Sequence, residues 1–191
     1  MTLTDTELIE LRDTVRYLKD RQEILDVIAR QSRGNDRHDA ELTSSCFWPD
    51  GADEHGQAVT SGAQWGETAN VWHSAGYIAH NHNLTNHLCE VDGDTAHAET
   101  YVIGTMKPQA ASGRARFTAG RYIDRLEKRD GEWRILFRRT IIEMDLEGDS
   151  PWPNGDLPLA FPKGVWEGAD LAYTRPLEID SPTPRWDGTT R

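Results

Sequence analysis

Residues 121–144 read RYIDRLEKRDGEWRILFRRTIIEM. Two runs rich in Ile, Leu, Phe and Tyr flank Arg129-Asp130-Gly131-Glu132, and an Asp-Gly pair accepts the positive φ angles of a tight hairpin turn. The spacing predicts one strand from Gly113 to Lys128 and a second from Trp133 to Met144. The same signature, Asp92-Gly93-Asp94, lies between a strand beginning at Ile78 and one from Thr95 to Met106. The second half of the chain therefore reads as antiparallel strands joined by short turns.

Before Ile78 the period is three to four instead of two. Thr4-Asp5-Thr6-Glu7 has capping-box spacing and predicts a helix over about 5–16. Asp20 with Glu23 repeats it, opening a helix to about residue 35 whose inner face carries Leu25, Ile28, Ala29, Ser32 and Asp36. A short helix follows from Asp39 to Phe47, then a turn at Pro49-Asp50-Gly51. Ser61-Gly62-Ala63-Gln64 opens a further helix to about Ser74, with Trp65, Ala69 and Trp72 on one face. Helices first and strands after predict an α+β cone, the helices packed on one side of a strongly curved, mostly antiparallel sheet. After residue 147 prolines 151, 153, 158, 162, 176, 182 and 184 break regular structure. Trp152, Leu157, Leu159, Phe161, Val165 and Trp166 are too apolar for a free tail. The expected organisation is a domain over 1–146 and an extended arm over 147–191, packed on the body or on a neighbouring subunit.

The 191-residue chain carries a formal net charge of -11. Such a surface repels phosphate backbones and anionic lipid, so neither nucleic acid nor a membrane is an expected partner. Cys46 and Cys89 lack CxxC spacing and read as free thiols, and the first residues lack the apolar run of a signal peptide; the expected location is cytoplasmic. No GxGxxG, GxxxxGK[ST] or GxSxG element is present, so no cofactor is expected and side chains must carry any chemistry.

Asp36 continues the apolar face of its helix, and a carboxylate aimed at a core needs a partner; it alternatively turns outward, or caps the next helix. Strand alternation puts His80 and His82 on one face with Leu84, Asn86 and Leu88. Two inward imidazoles suggest a pocket wall. The His-x-His spacing also suits a metal, but Glu90, Asp53 and His55 stand at no convincing spacing, and no metal is expected. Either Arg138 or Arg139 must face the covered side of the sheet, paired with Asp124 or Glu99 or awaiting an anion. Trp48, Trp65, Trp72, Tyr101, Phe117, Tyr122 and Trp133 supply aromatic walls, most of them as core.

Gly34-Asn35-Asp36-Arg37-His38-Asp39, the strand from His82 to Asn86, and Gly120-Arg121-Tyr122-Ile123-Asp124 with Arg129-Asp130-Gly131-Glu132-Trp133-Arg134-Ile135 resemble SnoaL-like proteins of the nuclear-transport-factor-2-like superfamily. The types most similar are scytalone dehydratase, hexachlorocyclohexane dehydrochlorinase and bile acid dehydratase, over roughly residues 12–146. The resemblance implies a cone of helices against a curved sheet and a cofactor-free Asp–His dyad, Asp36 with His82. It also implies a functional Arg138, five residues after Trp133. Where those lyases place Lys or Tyr, five residues before the aspartate, this chain has Gln31. The expected catalytic residues are thus Asp36, His82 and Arg138, with His80, Asn86, Tyr101, Trp48, His55 and Gln31 against the substrate. The implied activity is a lyase reaction on a hydrophobic aromatic or alicyclic molecule, losing water or a small carbon fragment such as an aldehyde. An isomerase or cyclase using the same dyad, and a non-catalytic binding module, are the alternatives. A homo-oligomer, trimer or dimer, is expected.

Overall fold

The computed structural model describes residues 3–109, 113–150 and 160–185. Helix α1 runs unbroken over Asp5–Arg37, where two helices were expected. Its start is the expected capping box: the Thr4 hydroxyl accepts from the Glu7 amide at 3.3 Å, and the Thr4 amide donates to Glu7 at 2.8 Å. The second cap signal has another cause. Asp20 is buried within the helix, taking hydrogen bonds from Lys128 Nζ at 2.6 Å and Trp133 Nε1 at 2.9 Å. Burial pushes the Asp20 pKa up, but these donors outweigh it and hold the carboxyl below its ordinary value. From Asp20 onward the buried positions are Ile24, Val27, Ile28, Gln31, Ser32, Gly34, Asn35 and Asp36, a stripe at helical spacing that widens at the end of the helix.

Helix α2 (Ala40–Ser45) and helix α3 (Gly62–Gly76) complete the helical layer. α1 ends at His38, whose φ of 54° reverses the chain. Gly34 lets α2 approach: a Cβ there would stand 2.9 Å from the Thr43 backbone nitrogen.

Six strands form one open sheet: β1 (Phe47–His55), β2 (Ala58–Ser61), β3 (Tyr77–Asp92), β4 (Thr95–Pro108), β5 (Arg114–Arg129) and β6 (Glu132–Asp149). Their order is β2-β1-β6-β5-β4-β3. The pairing of β1 with β6 is parallel and all others are antiparallel. Both predicted hairpin turns are present, with Asp130 at φ 52° and Gly131 at φ 84° in the second. The expected turn at Pro49-Asp50-Gly51 is instead part of β1, which is irregular between Phe47 and Ala52 as it joins β6. The β1–β2 hairpin carries no strong alternation and was not expected.

Bulges curve the sheet and reset which side chains face inward. In β3 the register shifts between Leu84 and His87. Before the shift the even positions His80 and His82 point in; after it the odd ones do, Cys89 being buried while Leu88 is 58% exposed. In β5 against β6 the register shifts at Arg125/Leu126. Trp133 and Ile135 face the core on one side of it, and Arg138 on the other.

Residues 160–185 lie against the end of α1. Arg37 binds the Val165 carbonyl and Asp170, Tyr173 donates to Asp39 at 2.8 Å, and Trp166 stacks on His38 at 3.6 Å. Trp152, Leu157 and Leu159 lie outside the described residues.

Candidate active site

Helix α1 delivers Asp36 in its last turn, and β3 delivers His82 beside it. The His82 Nδ1 lies 2.6 Å from Asp36 Oδ1, and the His82 backbone N–H donates to both carboxylate oxygens at 3.0 Å. A carboxylate can only accept, so Nδ1 carries the proton and Nε2 keeps its lone pair. Both side chains are 11% exposed. The helix-face argument for Asp36 therefore holds, and its outward and capping alternatives do not.

His82 borders a cavity of about 270 Å³, whose walls also include His55, Trp72, His73, Tyr77, Val102, Met106, Tyr122, Thr140 and Ile142. A larger groove of about 530 Å³ lies between α1 and the β5–β6 turn, but Glu23, Asp26, Arg30, Arg33 and Glu132 line it and the dyad does not. An apolar wall with a few polar groups is the usual form of a small-molecule site, which favours the smaller cavity.

Beneath the dyad lies a buried polar layer. Arg138 is 1% exposed and donates from Nε and NH2 to the two Asp124 oxygens at 2.7 Å each; its NH1 donates to Gln31. Its guanidinium also lies 4.0 Å from the Tyr122 ring centroid. Burial opposes its charge, but the Asp124 carboxylate more than offsets this and holds the guanidinium protonated. Asp124 is thus the partner of Arg138, while Glu99 pairs with Arg121 at 2.6 Å. Gln31 holds the third edge of the guanidinium in place of a proton donor. Burial raises the Tyr122 hydroxyl pKa, so it stays a neutral donor. Tyr122 and Thr140 are cross-strand partners on the cavity wall.

Four residues expected against the substrate do not line this cavity. Asn86 is exposed, turned out by the β3 bulge. Tyr101 is 36% exposed, beneath Arg121 on the opposite sheet face. Trp48 donates to the Glu127 carbonyl at 2.9 Å and lies under Arg129 and Arg134, away from the cavity. His80 is buried behind the dyad, with Nε2 3.0 Å from the Asn35 carbonyl, and is not a cavity wall. His55 does border the cavity, its ring 5.4 Å from Trp65.

His73 was missed, although it follows Ala69 by four residues and so shares the inner face of α3. Desolvation pushes its pKa down to about 2 and that of His80 down to about 4.

The SnoaL-like domain model matches residues 16–139, most of the chain. The chain belongs to the SnoaL-like family. Solved structures of the same superfamily fold share its helices on a curved open sheet. A protein of unknown function from Mycobacterium tuberculosis is 30% identical, with a TM-score of 0.61 over 68% of this chain and 75% of that one. The type 3 hexachlorocyclohexane dehydrochlorinase of Novosphingobium barchaimii is 20% identical, with a TM-score of 0.65 over 71% and 94%. A scytalone-dehydratase-like protein from Novosphingobium aromaticivorans is 20% identical, with a TM-score of 0.54 over 75% and 91%. No curated protein sequence matches this SnoaL-like chain. Among its described residues no helix is long and apolar enough to cross a membrane.

Proposed function

We propose that the SnoaL-like chain is a lyase whose own side chains eliminate water or a small aldehyde from a hydrophobic aromatic or alicyclic molecule. The observation that carries this is the 2.6 Å Asp36–His82 contact at the wall of an apolar cavity. A cavity of about 150 Å³ already holds benzene, so about 270 Å³ suits a substrate of one or two rings. His82 Nε2 removes a proton, and Asp36 stabilises the imidazolium that forms. For water loss the proton comes from a carbon beside an activating group; the C–H electrons become the new double bond, and the C–O bond breaks with its electron pair on the hydroxyl, which takes the proton from the His82 imidazolium and leaves as water. For aldehyde loss the proton comes from a hydroxyl; its electrons form the aldehyde carbonyl, the C–C bond breaks, and His82 returns the proton to the carbanion. In this reading Tyr122 and Thr140, which both border the cavity, supply hydroxyl donors to the developing oxyanion.

The dehydrochlorinase and scytalone-dehydratase-like neighbours support an elimination. An isomerase remains the second reading because proton removal and return at different atoms needs the same dyad. A panel of β-hydroxy aryl and alicyclic compounds, followed by mass spectrometry, separates these. A product lighter by water or by an aldehyde supports the lyase; an unchanged mass with a new retention time supports the isomerase; no turnover across the panel by folded protein removes both.

The reading includes self-association. Ile103, Phe117, Met144 and Leu146 are exposed on neighbouring strands of the outer sheet face, a patch that a second copy would cover. Light scattering on a sizing column is expected to give a multiple of the chain mass, and Phe117→Lys with Met144→Lys is expected to give the monomer. A monomeric wild type would remove this part.

A further inference from the structure

Beside the dyad three histidines from three elements converge, and one of them, His73, also borders the cavity. His38 caps α1, His73 lies on α3 and His80 on β3; each can offer one ring nitrogen, and these atoms lie within 4.8 Å of one another. His38 and His80 are buried, and the His73 and His80 ring centroids are 4.1 Å apart. The tautomer of His80 follows from its surroundings. Its Nε2 lies 3.0 Å from the Asn35 carbonyl, which only accepts, so Nε2 carries the hydrogen. Its Nδ1 is then a bare lone pair, and that atom is buried with no hydrogen-bond partner among the described residues; His73 Nδ1 is in the same position. A buried acceptor without a partner costs stability. Metal-ligating histidines carry this mark: the distal N–H is held by a backbone carbonyl and the other nitrogen is left for the ion.

We infer that His38, His73 and His80 form a site for a borderline-soft divalent cation of the Zn²⁺ class, which ties the end of α1 to α3 and β3. Tetrahedral zinc with nitrogen ligands at about 2.0–2.1 Å needs donor atoms roughly 3.3 Å apart, so the rings must close in by rotation. The Trp166 indole stacks on His38 and lies 6.1 Å from His80, covering this side of the cluster. The role is structural: it leaves the His82 Nδ1–Asp36 bond in place and gives the two orphaned nitrogens a partner. It is independent of the proposed elimination, since a protein without any lyase activity would bind the ion equally well.

The test is calorimetric titration of Zn²⁺ into metal-stripped full-length protein, with Co²⁺ absorption to report four-coordinate ligation by three imidazole nitrogens and a water, and thermal melts with and without Zn²⁺. One ion per chain is expected, with Tm raised by about 5–10 °C at a hundredfold excess over Kd. His73→Gln and His80→Gln are each expected to weaken binding at least tenfold, while His97→Gln, an exposed residue on β4, leaves it unchanged. His73 is the less buried of the two, so its variant carries the test if His80→Gln does not fold. Absence of stoichiometric binding, or one-ion binding that survives His73→Gln, would overturn the site.

Discussion

His82→Ala is expected to lower kcat by about 10² to 10⁴, the usual contribution of a positioned general base, on any substrate the panel identifies. Loss of fold would have the same effect, so the decisive variant is Asp36→Asn. In the native protein the carboxylate does two jobs: it accepts from the ring and from the His82 backbone N–H. Asparagine keeps an oxygen for the backbone bond, so β3 stays anchored to α1 and Tm is expected to move little. What is lost is the charge that stabilises the imidazolium, and with it the fixed tautomer, because an amide can turn its NH₂ toward Nδ1. A kcat reduced at least a hundredfold with Tm unchanged identifies a dyad. If kcat falls only in step with stability, the contact is a structural tie between helix and strand, and the cavity belongs to a binding module.

The fold was legible because the local signals agree with the tertiary structure. Two Asp-Gly turns set the pairing of β3 with β4 and of β5 with β6, and the switch of period near Ile78 separates helices from sheet. The failures have physical causes. Asp20 has the sequence neighbourhood of a helix cap, but its carboxylate is consumed by Lys128 and Trp133, more than a hundred residues away, which no local rule detects. Pro49-Asp50-Gly51 reads as a turn because strand β1 is bulged where it meets β6. The site was legible to the same degree. Asp36 lies on an unbroken helix, and His82 lies on the stretch of β3 between its register shifts at Tyr77/Ala79 and Leu84/His87, where simple helical and strand periods apply. Asn86 lies within the β3 bulge, and there the alternation that placed it inside reverses. His73 was detectable from helical spacing alone. His38 was not, since a histidine at positive φ closing a helix leaves no pattern in sequence.

Arg138→Met is expected to destabilise the protein by about 3–5 kcal/mol, because it leaves a buried carboxylate without its counter-ion. Asp124 is 0% exposed and has its oxygens satisfied by that one guanidinium. In a chain of this length, the loss corresponds to a fall in Tm on the order of 10 °C. Arg138→Lys keeps the charge but not the two-pronged bond or the contact with Gln31, and is expected to fall between. The double variant Arg138→Met with Asp124→Leu removes both charges at once and is expected to recover most of the stability, since an apolar pair of similar volume often equals a buried ion pair. Turnover by the double variant then decides what the arginine is for. Its nitrogens are engaged by Asp124 and Gln31, not turned toward the cavity, so its direct effect is on the Tyr122 ring and the floor of the site. If that is its whole role, kcat recovers along with Tm. If Tm recovers and kcat does not, the guanidinium itself meets the developing charge, as the family resemblance implies, and the Asp124 pair holds it charged for that purpose.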